Sequence, residues 1–256
     1  MTSLREQVAE VIGGADALVE VLRQDAQSGF DYLRIAQVLY REGRAEEALD
    51  WIGRGLEADD SDDHDPRLRE LAASIHRDAG RIETAGQLLW QNFEQRPGVV
   101  AYRELKSGTG ADFSRWREHA ITVLKDLSTG EYGRRQDWSD VVSVLLWEGE
   151  TDAAWEAAIG GGCRQELWLT VARERAQSHP ADALPILLRE ADRSLEGGDR
   201  TAYRHVAGIL REARRLAERI EGLEEFDRHV RQLRERNRRR PALQDEFTRA
   251  KLPQLA

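Results

Sequence analysis

Four groups of residues in this sequence are of types that could do chemistry. Cys163 follows the run Ile159-Gly160-Gly161-Gly162, which invites a nucleophile or a phosphate-cradling loop. No Gly-Lys-Ser/Thr follows the glycines and no His or Asn lies beside Cys163, so a flexible loop between repeats is the better account. The stretch ADDSDDHDP, Ala58 to Pro66, holds five Asp and one His. A calcium loop needs oxygen ligands at alternating positions and a Gly for its sharp turn, and this run has no Gly, so a solvated loop is expected. Six histidines (His64, His76, His119, His179, His205 and His229) are scattered and form no H-E-x-x-H pair. The segment FDRHVRQLRERNRRR, Phe226 to Arg240, carries seven Arg against two acids. Arg231, Arg234, Arg238, Arg239 and Arg240 could grip phosphates there, each contact adding to a salt-dependent affinity. The plainer reading is that they coat the outer face of a final helix and complement its C-terminal dipole.

The elements that must position these residues are helical. Strand signals are absent, and helical spacing runs along the chain. Ser3-Leu4-Arg5-Glu6 fits a capping box, and the helix it opens stops near Gly13-Gly14; a second runs from about Ala15 to Gln27. Tyr32, Ile35, Ala36 and Leu39 then form one apolar stripe, Gly43 can end that helix, and Ala48, Leu49 and Ile52 form the stripe of a return helix. Small alanines at 36 and 48 let two antiparallel helices approach closely, where a Leu would overpack the contact. Leu68, Leu71, Ala72 and Ile75 repeat the order 36 residues further on, with one extra residue in the turn before Gly80, then Ala85 and Leu89. Asp65-Pro66 is the start signal of that copy. A third copy has Trp138, Val141, Val142 and Leu145, then Gly149, Ala154 and Ala158. A degenerate copy is expected between them, in helices at Val99–Leu105 and Trp116–Leu124.

Further on, Trp168, Val171 and Ala172 begin a hairpin that turns at Ser178-His179-Pro180 and returns through Ala183, Ile186 and Leu187, with Pro185 near the first turn of the return helix. A long pair follows, Thr201 to about Ile220 and Leu223 to about Arg238, stopped by Pro241 before a short closing helix. The period, the glycine turns and the alanines in both arms look like a tetratricopeptide repeat. The expected fold is therefore an all-α, tetratricopeptide-like α-solenoid of about five hairpins. Its expected domains are an N-terminal helical pair (1–29), hairpin repeats (30–198), and a long C-terminal hairpin with a capping segment (199–256).

The phrases YLRIAQVLYREGRAEEALDWIGRGL, LLWEGETDAAWEAA, LWLTVARERAQSHPADALPILL and EFDRHVRQLRERNRRRPAL, in that order, resemble the helical C-terminal region of actinobacterial SWIM zinc finger proteins. The resemblance spans about Phe30 to Leu243. It implies an accessory or adaptor role, possible beside a SWI2/SNF2-type ATPase. Zinc enters only if a finger exists upstream of this chain, because the C-x-C…C-x-H ligand set has no counterpart around a lone Cys163.

The bulk numbers narrow the classes. The net charge of −9 argues against a protein whose whole surface coats nucleic acid. One cysteine excludes an internal disulfide, no apolar run approaches the roughly 20 residues of a membrane span, and the N-terminus lacks a signal-peptide core. Lysine occurs only at 106, 125 and 251, an arginine bias like that of a GC-rich bacterial genome. The expected location is cytoplasmic, with no cofactor and no catalysis. Six of the seven Trp sit at core spacings. Trp147 does not: it lies about 200° round the helix from Leu145 and falls where Arg41 and Arg77 fall in the repeat frame. Gln37, Tyr40, His76 and Ser143 share that face, which lines a partner-binding groove in tetratricopeptide arrays. The expected function is a protein–protein interaction scaffold of unnamed partner, with the arginine-rich helix as a nucleic-acid alternative.

Overall fold

The computed structural model describes residues 4–24, 26, 28–58, 65–128, 137–195 and 198–254. These form helices α1 (Leu4–Gln24), α2 (Gly29–Arg41), α3 (Ala45–Glu57), α4 (Pro66–Asp78), α5 (Ile82–Gln95), α6 (Val99–Thr109) and α7 (Ser114–Ser128). They continue as α8 (Ser139–Glu148), α9 (Thr151–Gly161), α10 (Gln165–Ser178), α11 (Pro180–Ser194), α12 (Arg200–Arg219), α13 (Leu223–Arg236) and α14 (Pro241–Arg249). No strand occurs among the described residues, and none of their helices is long and apolar enough to cross a membrane. Ser3 of the expected capping box and Asp59 to His64 of the acidic run lie outside the described residues. The chain divides into two compact units, Met1–Leu124 and Lys125–Ala256.

Three hairpins share one turn. In the first, Gly43 takes a left-handed φ of 77°, its N–H donates to the Tyr40 carbonyl at 3.0 Å, and the Arg44 N–H reaches back to Leu39 at 2.9 Å. Gly80 and Arg81 repeat this onto Arg77 and His76 at 2.9 and 2.8 Å; Gly149 and Glu150 repeat it onto Leu146 and Leu145 at 3.1 and 2.9 Å. These paired bonds satisfy carbonyls that the helix end leaves open. The residue after each glycine also caps the next helix, with φ/ψ of −91/59°, −88/60° and −82/65° at Arg44, Arg81 and Glu150. The second turn therefore carries no extra residue, contrary to the expectation. The irregularity lies upstream, where Ile75 sits one residue further from its glycine than Leu39 or Leu145 does. Counted from the glycine, Ile35-Ala36, Ala72-Ala73 and Val141-Val142 occupy the same two buried places, and Asp78 rather than Arg77 matches Arg41 and Trp147.

In unit 1, α2 packs on α3, α3 on α4, α4 on α5 and α5 on α6, and the first helices α2, α4 and α6 also touch in series. Ala36, Ala48 and Ala85 are wholly buried, and Gly55 of α3 lets Tyr32 and Leu68 close over it, since an added Cβ would stand 2.8 Å from Tyr32. α1 breaks at Gly14 (φ 66°, ψ −160°), as the paired glycines predict. Helices occur at both places expected for the degenerate copy, as α6 and α7, joined by a 3₁₀ turn at Gly110–Phe113. Trp90 stacks on Trp116 at 5.3 Å, which anchors α7 to α5.

In unit 2, α8 packs on α9, α9 on α10, α10 on α11, and α11 on α12, which carries α13 and α14. His179 alone joins α10 to α11, with Pro180 at the first helical position. Pro185 is the sixth residue of α11, not in its first turn, so the Ala181 carbonyl loses its helical donor. Pro241 opens α14 instead of merely ending α13. Two turns use non-glycine residues in the left-handed region, Glu221 (φ 57°) and Lys251 (φ 54°). The glycine run before Cys163 is not a flexible loop: Gly160 and Gly161 end α9, and Gly161 is buried under the Trp138 indole.

A Cβ at Gly161 would stand 2.1 Å from Trp138, whereas one at Gly53 meets nothing within 4 Å. Gly161→Ala should cost about 1–3 kcal/mol by overpacking. Gly53→Ala, inside α3, should stabilise by about 0.5–1 kcal/mol. Urea denaturation of both variants measures the two signs.

Candidate interaction face

The first helices of unit 1 expose one connected row of side chains. On α2, Phe30, Arg34, Gln37 and Arg41 recur at steps of four, three and four, which places them on one helical face. On α4, Arg67, Glu70, Ser74 and Arg77 recur at steps of three, four and three and also share one helical face, although in the turn-based frame only Arg67 and Ser74 match residues of the α2 row. Cross-helix contacts stitch the two rows. Phe30 is 49% exposed, with the guanidinium of Arg34 5.9 Å and that of Arg67 5.5 Å from its ring centroid. Arg67 is held in turn by Asp65, the N-cap of α4, through bonds at 2.9 and 2.6 Å, and this pairing draws the Asp65 carboxyl below its ordinary range. The Tyr40 hydroxyl donates to Asp78, and that hydrogen bond, with burial second, raises the phenol above its usual value. Arg77 donates to Ser74 at 3.2 Å and lies 3.7 Å from Asp78.

The row continues onto α6. Burial, followed by the neighbouring Glu104 carboxyl, raises Glu70 above the ordinary carboxylate range, while Arg67 opposes the shift. Two acids from α4 and α6 thus meet on the face.

Of the residues expected here, Gln37 and Arg41 lie in the α2 row, Arg77 lies in the α4 row, and Tyr40 sits about 90° round α2 from its row, against Asp78. His76 stands apart. Its imidazole is pushed down by burial and then by Arg81, with Glu46 opposing, and its Nδ1 is buried without a partner. Ser143 and Trp147 belong to unit 2, one turn apart on α8, with Ser143 half-buried and Trp147 42% exposed. Sequence reasoning missed Phe30, Arg67, Glu70 and Glu104. The four-three-four spacing from Phe30 to Arg41 was the available signal.

The arginine-rich helix is a different matter. Arg234 is 4% exposed: its Nε donates to the Pro253 carbonyl at 2.7 Å and its Nη1 to Gln244 Oε1 at 2.8 Å, with the Phe247 ring centroid 5.3 Å away. The expectation that it grips phosphate is corrected, because its donors are consumed inside the fold. Arg240 caps the Leu195 carbonyl at 3.1 Å, Arg238 pairs with Glu235 at 3.2 Å, and Arg231 lies 3.7 Å from Asp227. Arg239 is exposed. Cys163 is half-buried, and burial, then Asp137, pushes its thiol up to about 11, so it is not an activated nucleophile. No group of three or more metal-ligating side chains occurs among the described residues.

No known family model matches the chain, and no curated protein does. Among solved structures, the chain is similar to one in the structure of Naa15/Naa10 bound to HypK-THB, with 16% identity and a TM-score of 0.36. The match covers 96% of this chain and 37% of that one, so the chain spans little more than a third of its length.

Because the Glu70 carboxyl is raised in the folded state, the folded chain holds this proton more tightly than the unfolded chain does. Its contribution to stability is present at low pH and lost as pH rises through the ordinary carboxylate value towards the raised one. Glu70→Gln should therefore raise stability at pH 7.5 by about 0.5 kcal/mol and flatten the loss above pH ~4.5, read by urea denaturation across pH. Arg234→Ala should cost about 2–3 kcal/mol by removing charged hydrogen bonds and leaving buried carbonyls unmet, read as a fall in the denaturation midpoint.

Proposed function

We propose that this chain is a non-catalytic protein-interaction scaffold that binds its partner on the first-helix face of its hairpins. The fold reading that goes with it is a tetratricopeptide-like α-solenoid of about five hairpins. The observation that carries the proposal is Phe30, a half-exposed aromatic ring between Arg34 and Arg67 on a row shared by adjacent helices. Aromatic and arginine side chains are the residues that anchor protein interfaces, where a rigid ring fills a pocket and a planar guanidinium makes several directed bonds. Gln37 and Tyr40 extend the row with groups that can both donate and accept, and Arg41 and Arg77 extend it with donors alone. Trp147, exposed on α8 of unit 2, is a second anchor of the same type. The context that goes with this reading is an accessory region of a SWIM zinc finger type protein.

Affinity purification from the native host, with wild-type chain as reference, tests it. Phe30→Ser with Arg77→Glu, and separately Trp147→Ala, should each lower recovery of the captured protein at least tenfold, about 1.4 kcal/mol of binding, with the far-ultraviolet circular dichroism unchanged. Full recovery with both anchors removed rejects the face.

A further inference from the structure

We propose that unit 2 carries a binding cavity for a small zwitterion, a free α-amino acid, at the C-terminal end of α9 against α10 and α11. The cavity has a volume of about 590 Å³, and its wall includes Asp137, Ile159, Cys163, Trp168, Arg189 and Arg193. That volume is in the range of small-molecule sites, and the wall combines apolar surface with a few charged groups, as such sites do.

The positive groups are held in place by the fold. The Arg189 guanidinium lies over the Trp168 ring at 4.3 Å, its Nε donates to Glu190 Oε1 at 3.0 Å, and Arg193 Nη1 donates to the same oxygen at 3.2 Å. Glu190 is 1% exposed, so one buried carboxylate fixes two guanidinium groups side by side and neutralises only one charge. Arg189 Nη2 and Glu190 Oε2 are both buried without a hydrogen-bond partner, while the Arg189 side chain as a whole is 37% exposed and that of Arg193 44%. The exposed edges of these two guanidinium groups offer a ligand carboxylate the planar donor geometry that it matches.

The negative groups share the cavity without quenching the positive ones. Asp137 accepts from the Ser139 backbone N–H at 3.0 Å and from the Ser139 hydroxyl, and forms no ion pair with Arg189 or Arg193 among the described residues. The C-terminal end of α9, where Gly160 and Gly161 carry no side chains, forms part of the wall and brings the negative pole of the helix dipole to it. Asp137 and this pole favour an ammonium. One cavity that offers fixed donors and fixed acceptors, unpaired with each other, complements a molecule carrying both charges. The half-exposed Ile159 gives an apolar side chain a surface to lie on. Cys163 stays a neutral thiol in this setting and takes no covalent part.

Isothermal titration calorimetry on the full chain tests the site with L-leucine, N-acetyl-L-leucine and L-leucinamide as probes. L-leucine should bind saturably. Each derivative, having lost one charge, should bind at least tenfold more weakly, and Arg193→Gln, on a side chain 44% exposed, should weaken L-leucine at least tenfold without changing the thermal midpoint. Arg189→Lys should do the same by replacing the planar fork with a point charge. Three outcomes overturn the proposal: no saturable heat with L-leucine up to about 10 mM, beyond the millimolar end of useful affinity; equal affinity for N-acetyl-L-leucine; or unchanged affinity in Arg193→Gln.

Discussion

The left-handed residue that closes each helix is the constraint on which the hairpins depend. Once Gly43, Gly80 or Gly149 turns the backbone, the next amide must reach back to a carbonyl of the last helical turn, and that same residue opens the following helix. No free linker remains between the arms, so their register is set by the turn itself. The fifth residue after the glycine is then wholly buried in all three hairpins, and it is alanine each time: Ala48, Ala85 and Ala154. A larger side chain there would push the arms apart against a turn that cannot lengthen. Glu221 and Lys251 adopt the same conformation with a side chain, which costs about 1–2 kcal/mol. Arginine secures the chain next to both. Arg214 donates to the Lys251 carbonyl at 2.9 Å, Arg234 reaches Leu252 and Pro253, and Arg219 beside the first turn caps the Ala176 carbonyl at 3.2 Å.

Arginine therefore acts here as a structural residue as much as a surface charge. A guanidinium presents several donors in one plane and gives up its hydration more readily than an ammonium, so it can bridge carbonyls from separate segments where lysine could satisfy one at most. Arg69 spans Asn92 and Gln95 in the same manner inside unit 1, at 3.2 and 2.9 Å. Of the seven arginines between Phe226 and Arg240, Arg234 is buried inside the fold and the other six are exposed. Net charge over a segment is a poor guide to what that segment presents, because it counts a buried cap and a solvated side chain alike.

What was legible in the sequence was local. Glycine turns, the Asp65-Pro66 start and the alanines of the opposed arms all act within a few residues, and each appears where its spacing placed it. The helices α6 and α7 were recoverable because Trp116, Ala120, Val123 and Leu124 keep helical spacing. What was not legible depended on distant neighbours. Gly161 reads as a loop glycine until Trp138, 23 positions earlier, is seen lying on it. Arg234 reads as a surface charge until the chain after α14 folds back over it. Glu70 and Glu104 are separated by an entire helix, and only the packing of α4 against α6 makes them one pair. The frame of the second copy failed for a related reason. Apolar stripes tolerate a shift of one residue on a helix, whereas a hydrogen-bonded turn does not, so the turn is the safer origin for aligning repeats.

The same distinction governs how the face of unit 1 should be weighed electrostatically. A formal count makes it a mixture of cations and acids that should cancel. The arrangement separates them: Arg34 and Arg67 crowd a half-exposed ring, Arg67 is already engaged by Asp65, and one turn further along α4 Glu70 shifts towards its neutral form beside Glu104. The Tyr40 hydroxyl donates to Asp78. The face is thus more directional than a scatter of charges would be. Directed donors and acceptors around an aromatic ring discriminate between partners by geometry, and geometry is insensitive to salt over a range where bare charge is screened within about 10 Å.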